Sequence, residues 1–421
     1  MKTLFFILLT FLVSTTYSQE IVVELATDTQ LMPLHLQEIV GAGFNASYIK
    51  QLKGVLAFDL EHNGMSQLSD ANHSFYTINA KVSEDKKLTV TITSANEEHS
   101  KTIEGVDLTG DLSKDRRVIH QIADAIYQDL FDERGIASTR FLYTIKRTLG
   151  EKYVSEIWEA DYDGQNARPI IQDLAYNISP MYVPAKSGNR PGAFLFVSYK
   201  ISQPKIFLAS LKDGSSRRLI SMKGNQLMPA ISQQRDKIAF ICDVTGNPDL
   251  FLQPFDAVVG AMGKPQQIFS SHRSAQGTPA FNPEGTKIAF VSNKDGSPRI
   301  YVLDIPPPGA SLKDVSARLI TKHSRESSAP AWSPDGQKLA YCAMSNGIRQ
   351  IWIYDFKTKE ERALTQGPGN KENPTWSTNS KCLIFNSSDH GACELYLTSL
   401  KGNPVKISSG QGEKRFPNWE I

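Results

Sequence analysis

One unit recurs along most of the chain: a proline-led segment, a polar turn, then an apolar run. "PAISQQRDKIAFICD" begins at Pro229, "PAFNPEGTKIAFVSN" at Pro279, "PAWSPDGQKLAYCAM" at Pro330 and "PTWSTNSKCLIFNSS" at Pro374. A looser copy starts at Pro180, and "PNW" at Pro417 opens one more. Successive prolines stand 43 to 51 residues apart, a period typical of propellers and other repeat arrays. Few other architectures accept such a pattern.

Each unit continues with a polar turn and an alternating stretch such as "PRIYVLDI" or "RQIWIYDFK", then a short run such as "ARLIT" (317–321). Alternation over this length marks half-buried strands. Four short antiparallel strands make one propeller blade. Proline-led inner strands number six, and so do the apolar second strands at 141–146, 194–199, 238–243, 288–293, 339–344 and 383–387. The first second-strand lacks a preceding partner, and "PNWEI" lacks a following one. Pairing them completes a blade from both chain ends and removes open edges. The expectation is therefore two domains: a small N-terminal α/β domain over 19–138, then an all-β six-bladed propeller over 139–421 closed by the C-terminal strand.

"SPDG" carries a serine and an aspartate that invite a catalytic reading. Its variants "NPEG" (282–285) and "STNS" (377–380) change those letters yet keep a turn, so a turn is the expected role. Trp332, Trp376 and Trp419, with Phe281, are expected to fill the wedges between blades. The chain has no G-x-S-x-G elbow, no H-E-x-x-H and no C-x-x-C pair. "DYDG" (161–164) reads as a connecting turn. The eight histidines are scattered, so no catalytic residue, metal or cofactor is expected. The alternative is a peptidase-related accessory protein or a channel-type hydrolase. The hydrolase would place carboxylates ahead of several inner strands, where Met228, Thr278, Ala329 and Asn373 stand instead. A formal net charge of +2 without a basic run argues against a nucleic-acid partner.

The N-terminus reads as a secretory signal over 1–18: Lys2, an apolar stretch from Leu4 to Val13, then small polar residues before Gln19. That stretch is too short for a membrane span, and export is expected. Four cysteines, Cys242, Cys342, Cys382 and Cys393, are too few for a disulfide scaffold and are expected to be buried free thiols. Beyond the signal, 20–26 reads as a strand, 34–40 as a helix, and 55–60 as a strand or the entry to one. Residues 75–95 read as a hairpin turning at Glu84 and Asp85. "GAGFNA" (41–46) superficially suggests a dinucleotide loop, but Gly41 and Gly43 are expected to end the helix before them. Ile119, Ile122, Ala123, Ile126, Leu130 and Phe131 hold a helical period, with Ser113 as cap and Gly135 beyond the stop.

The stretch "RRVIHQIADAIYQDL…RGIASTRFLYTIK" resembles the segment of the TolB family in which an R-x-x-x-H-x-I-x-D-x-I-Y pattern precedes a propeller. The repeats, leader and domain order are similar as well. The resemblance implies a periplasmic, non-enzymatic, monomeric component of the Tol–Pal system, which supports outer-membrane integrity and constriction at division. It implies a Pal-like peptidoglycan-associated lipoprotein as partner, with bacteriocins able to use the same site. TolA is the partner implied for the mature N-terminus, at Glu20, Ile21, Val22 and Val23. Carried onto this sequence, the Pal site falls on the segments leading into the inner strands, at one mouth of the channel. Its residues would be Met228, Ala275, Gln276, Gly277, Thr278, Glu326, Ser327, Ser328, Lys371, Glu372, Asn373 and Arg415.

Overall fold

The computed structural model describes residues 30–185 and 190–421. Leu31–Ile421 form one compact unit. The expected leader, the strand over 20–26 and the implied TolA contacts Glu20, Ile21, Val22 and Val23 lie outside the described residues.

The N-terminal part is a mixed sheet of β1 (Met32–Leu36), β2 (Val40–Gly41), β3 (Ser66–Leu68), β4 (Tyr76–Val82), β5 (Lys87–Ser94) and β6 (Ser100–Asp107). Its order is β3-β1-β4-β5-β6, with β2 paired to β4. Helices α1 (Ala46–Glu61) and α2 (Leu112–Phe131) pack against it. The β4–β5 hairpin stands where the alternation put it.

Four other readings differ in the structure. Residues 34–40 contain no helix: Leu34 and Leu36 are buried around His35, the period-2 pattern of β1, which runs parallel to both β3 and β4. The stretch 55–60 is no strand but the end of α1, whose buried Leu52, Val55, Leu56, Asp59 and Leu60 keep helical spacing. Asp59 interrupts that apolar stripe and obscured it. Gly41 and Gly43 accordingly precede a helix instead of ending one, and Asn45 caps α1 by accepting from Tyr48 N. The cap of α2 is Asp111, which accepts from Ser113 N, while the Ser113 hydroxyl also donates to it. Gly135 does lie beyond the helix, where a Cβ would stand 2.2 Å from Asp124 Oδ1.

The propeller has six four-stranded blades, blade 3 carrying one extra short strand. Blade 1 comprises Arg140–Leu149, Lys152–Asp161 and Arg168–Ile171, with the C-terminal strand Glu413–Trp419 as its inner strand. Glu413 pairs with Lys146 and Trp419 with Phe141, closing the ring. Blades 2 to 6 begin with inner strands Asn177–Tyr182, Gln226–Ile231, Gln276–Phe281, Ser327–Trp332 and Asn370–Trp376. Trp376 sits between blades, its Nε1 donating to Ala331 O of blade 5. Trp419 is buried with Nε1 2.7 Å from Thr139 Oγ1. All four cysteines are free and buried. Cys393 pairs with Ser388 across a hairpin whose two-residue turn is His390 and Gly391.

The N-terminal part packs on the face bearing the "SPDG"-type turns, against the turn of blade 6 and the adjoining edge of blade 1. Asn379 Nδ2 donates to Asn63 O and to the Tyr127 hydroxyl, and Cys382 Sγ approaches His62 O. The core is continuous across this junction, running from Leu56 and Ile126 to Phe141, Leu397 and Trp419. A charged network is buried there too. His120 Nδ1 lies 2.8 Å from Asp59 Oδ2, Tyr162 donates to Asp59 at 2.7 Å, and Arg116 pairs with Asp163. Thus Arg116, His120, Asp124 and Tyr127 of the helix motif all serve junction contacts or the chain's return from α2.

Candidate functional site: the propeller channel and its mouth

The inner strands of all six blades share a distortion at the proline. Residues Ser179, Met228, Thr278, Ala329, Asn373 and Phe416, each just before it, have φ between 37° and 54°. At that place every inner strand shifts register against its neighbour. The proline has no N–H to give the ladder, so it and the preceding residue together oppose one partner residue, as in a β-bulge. The strands therefore begin three or four residues before the prolines. The segments read as loops leading to the channel are the first halves of its innermost strands.

That placement sorts the twelve residues proposed for the mouth. Side chains alternate along a strand, and the third residue before each proline turns away from the channel. Asn177, Gln226, Gln276, Ser327, Lys371 and Lys414 occupy it, all polar and all buried. Several pin the incoming loop: Lys371 Nζ donates to Pro368 O at 2.7 Å, Gln226 Nε2 to Met222 O at 2.8 Å, and Lys414 Nζ to Gly410 O. Burial lowers the Lys371 pKa. Gln276, Ser327 and Lys371 are thus buried and turned from the channel, with Gln276 Nε2 donating to Ser274 Oγ at 3.0 Å and Lys371 bonding loop carbonyls. A polar letter at fixed distance before each proline was the available signal.

Of the other nine, Met228, Thr278 and Asn373 line the channel, and the rest lie on the same inner strands or the loops leading into them. Met228 is exposed, and its sulfur accepts from Thr278 N at 3.1 Å, beside Gly277. Ser328 and Asn373 are half-buried, with Asn373 Nδ2 donating to Asn386 Oδ1 at 2.8 Å. Ala275 and Glu326 lie exposed at the rim. Glu372 faces Arg349 at 3.4 Å and Arg415 at 3.8 Å, and Arg415 Nε donates to Glu413 at 2.9 Å. Burial of Glu413 favours its neutral form, but the Arg415 contact outweighs this and holds its pKa below the ordinary value.

Between the blades lies a channel of about 320 Å³, lined by the six prolines and by side chains such as Leu227, Phe281 and Trp332. The residue before each proline also lines it, and none of these six is a carboxylate. Across the blades, Ser333 donates to Asp335 at 2.5 Å and accepts from Lys338 N, closing a turn in which Gly336 has φ 71°. Arg235 and Ser380 take the glycine's place in two other blades, with φ near 60°. The reactive letters build a turn. Among the described residues no group of three or more His, Cys, Asp or Glu side chains could hold a metal ion.

A family model for the TolB β-propeller domain matches residues 127–420. A TolB homolog from Protochlamydia amoebophila is 52% identical over 382 residues, covering 84% of this chain and 81% of its own length. The chain belongs to the TolB family. The homolog from Chlamydia abortus is 38% identical over 363 residues, 85% of this chain and 83% of that protein. Crystalline TolB from Acinetobacter baumannii shares the fold with TM-score 0.74, at 21% identity over 93% of this chain and 97% of the other. Membership gives the helix motif its setting, since this TolB-family chain spends those residues on joining the α/β part to the propeller.

Proposed function

We propose that this TolB-family chain is a non-enzymatic docking protein of the Tol–Pal envelope system, working in the periplasm after removal of its leader. The channel mouth receives a Pal-like peptidoglycan-associated lipoprotein, and residues 20–23 engage TolA. Through these contacts the protein supports outer-membrane integrity and constriction during division. One observation carries the reading: the proline-lined channel opens on the face away from the junction, where Met228, Thr278, Ala329 and Asn373 surround an apolar entrance. Concave apolar sites with a few placed polar groups are suited to receiving a ligand or a partner's protruding segment.

The test is capture of the soluble domain of the same organism's Pal-like lipoprotein by the purified mature chain. Binding that weakens with Thr278→Arg supports the reading; no binding by the intact chain contradicts it.

A further inference from the structure

The mouth face carries the turns between second and third strands and the loops between blades, because strand direction alternates within each blade. Its exposed large apolar side chains are distributed unevenly. Leu149, Tyr153 and Leu174 project from blade 1 or the loop after it, Ile201 from blade 2, and Met228 and Val244 from blade 3. Among the described residues blades 4 to 6 place no comparable side chain on this face. They present charges instead, largely paired with one another: Lys294 with Asp295, Asp389 with His390, and Glu372 with Arg349.

The turns that bear these side chains are held in place. Tyr176 and Tyr199 meet at 5.5 Å between the loops bearing Leu174 and Ile201. Gly224, in the next inter-blade loop, packs against the backbone of Val244. The Lys146 ammonium sits 4.1 Å over the Tyr153 ring. Leu174 is the most telling. It is 73% exposed with φ 58°, in a turn where Asp173 Oδ1 accepts from Ala175 N and Asn177 Nδ2. Glycine or asparagine fits such a backbone without strain, and a leucine there gains nothing from packing.

We infer that blades 1 to 3 carry an apolar arc beside the channel that docks the apolar surface of a folded protein. This rests on the function proposed above: the occupant is the same lipid-anchored partner, seated off-centre over blades 1 to 3 while one of its segments meets the mouth. The arc adjoins the mouth through Met228, so one partner spans both. Among the described residues, exposed Lys152, Lys200 and Lys223 border the arc without an acidic partner, so an anionic membrane is the rival occupant that the vesicle measurement tests. Apolar anchors beside polar surroundings are the usual anatomy of a specific protein interface.

The experiment measures affinity of the full mature chain for the soluble, unlipidated domain of the Pal-like lipoprotein. A triple variant, Leu174→Glu with Ile201→Glu and Val244→Glu, is compared with a control triple, Lys294→Ala, Asp295→Ala and Asp389→Ala. Five of the six sites are in surface loops and Asp389 ends a strand, and equal thermal melting confirms folding. The arc triple is expected to weaken binding at least about tenfold and the control less than about twofold. Full affinity in the arc triple, with loss in Thr278→Arg, overturns the arc and keeps the mouth. No binding by the unaltered chain removes the mouth reading and the arc with it. Two other results also overturn the arc: sedimentation with phosphatidylglycerol–phosphatidylethanolamine vesicles that the arc triple abolishes, or a dimer that it dissociates.

Discussion

The two faces of the propeller use opposite kinds of residue. The face with the "SPDG"-type turns carries serines, aspartates and asparagines, nearly all hydrogen-bonded within their own turn, and it carries the junction with the α/β part. The mouth face carries Met228, Thr278, Ala329 and Leu174, with little reactive chemistry and several strained backbones. Chemically versatile side chains in the turns are here scaffold, and plainer ones form the surface that faces outward. The contrast can be broken from either side.

The largest expected effect lies at the closed junction. Trp419→Ala removes a fully buried ring and its bond to Thr139, and about 3–5 kcal/mol of stability should disappear in urea unfolding. A smaller loss would mean that the C-terminal strand contributes less to closure than its burial implies.

The network beside it predicts a pH dependence. Burial of His120 disfavours its charge, but Asp59 and Asp163 outweigh this and raise its pKa above 6.5. A histidine with a raised folded pKa stabilises fully below its unfolded value and stops doing so as pH climbs through the folded one. The thermal midpoint should therefore fall as pH rises from about 6.5, and His120→Gln should flatten that slope. An unchanged slope in the variant would assign the dependence to other groups.

Lys371→Ala separates anchor from contact. It removes a buried ammonium from three loop carbonyls and should cost about 2 kcal/mol while leaving partner capture by the remaining folded protein unchanged. Loss of capture without loss of stability would restore Lys371 to the mouth. Ser333→Ala is the mildest case, expected to cost about 1 kcal/mol with capture intact.

The propeller was readable because its constraint is repeated: six prolines, six apolar strands and one unpaired member at each end admit few arrangements. Where a strand's beginning depended on a bulge, sequence was misleading, since proline looks like a start until the preceding residue is seen at positive φ. In the N-terminal part, nothing repeats to correct a local misreading. β1 is short and pairs only with distant strands, so its alternation was lost among Gln37, Glu38 and Ile39. Asp59 belongs to a helix stripe only because His120 and Tyr162, far away in sequence, satisfy it. The off-centre apolar arc has no periodic signature at all. It emerges only when turns from three blades are brought to one face.

The most direct test of the central claim is the affinity of the mature chain for the soluble Pal-like domain, with an arginine placed in turn on each face. Ser328→Arg, at the mouth, should weaken binding about tenfold or more. Gln337→Arg, in the exposed "SPDG" turn of the same blade, should leave it unchanged. The opposite pattern, with loss at Gln337 and none at Ser328, would contradict the assignment of the mouth face as the functional one.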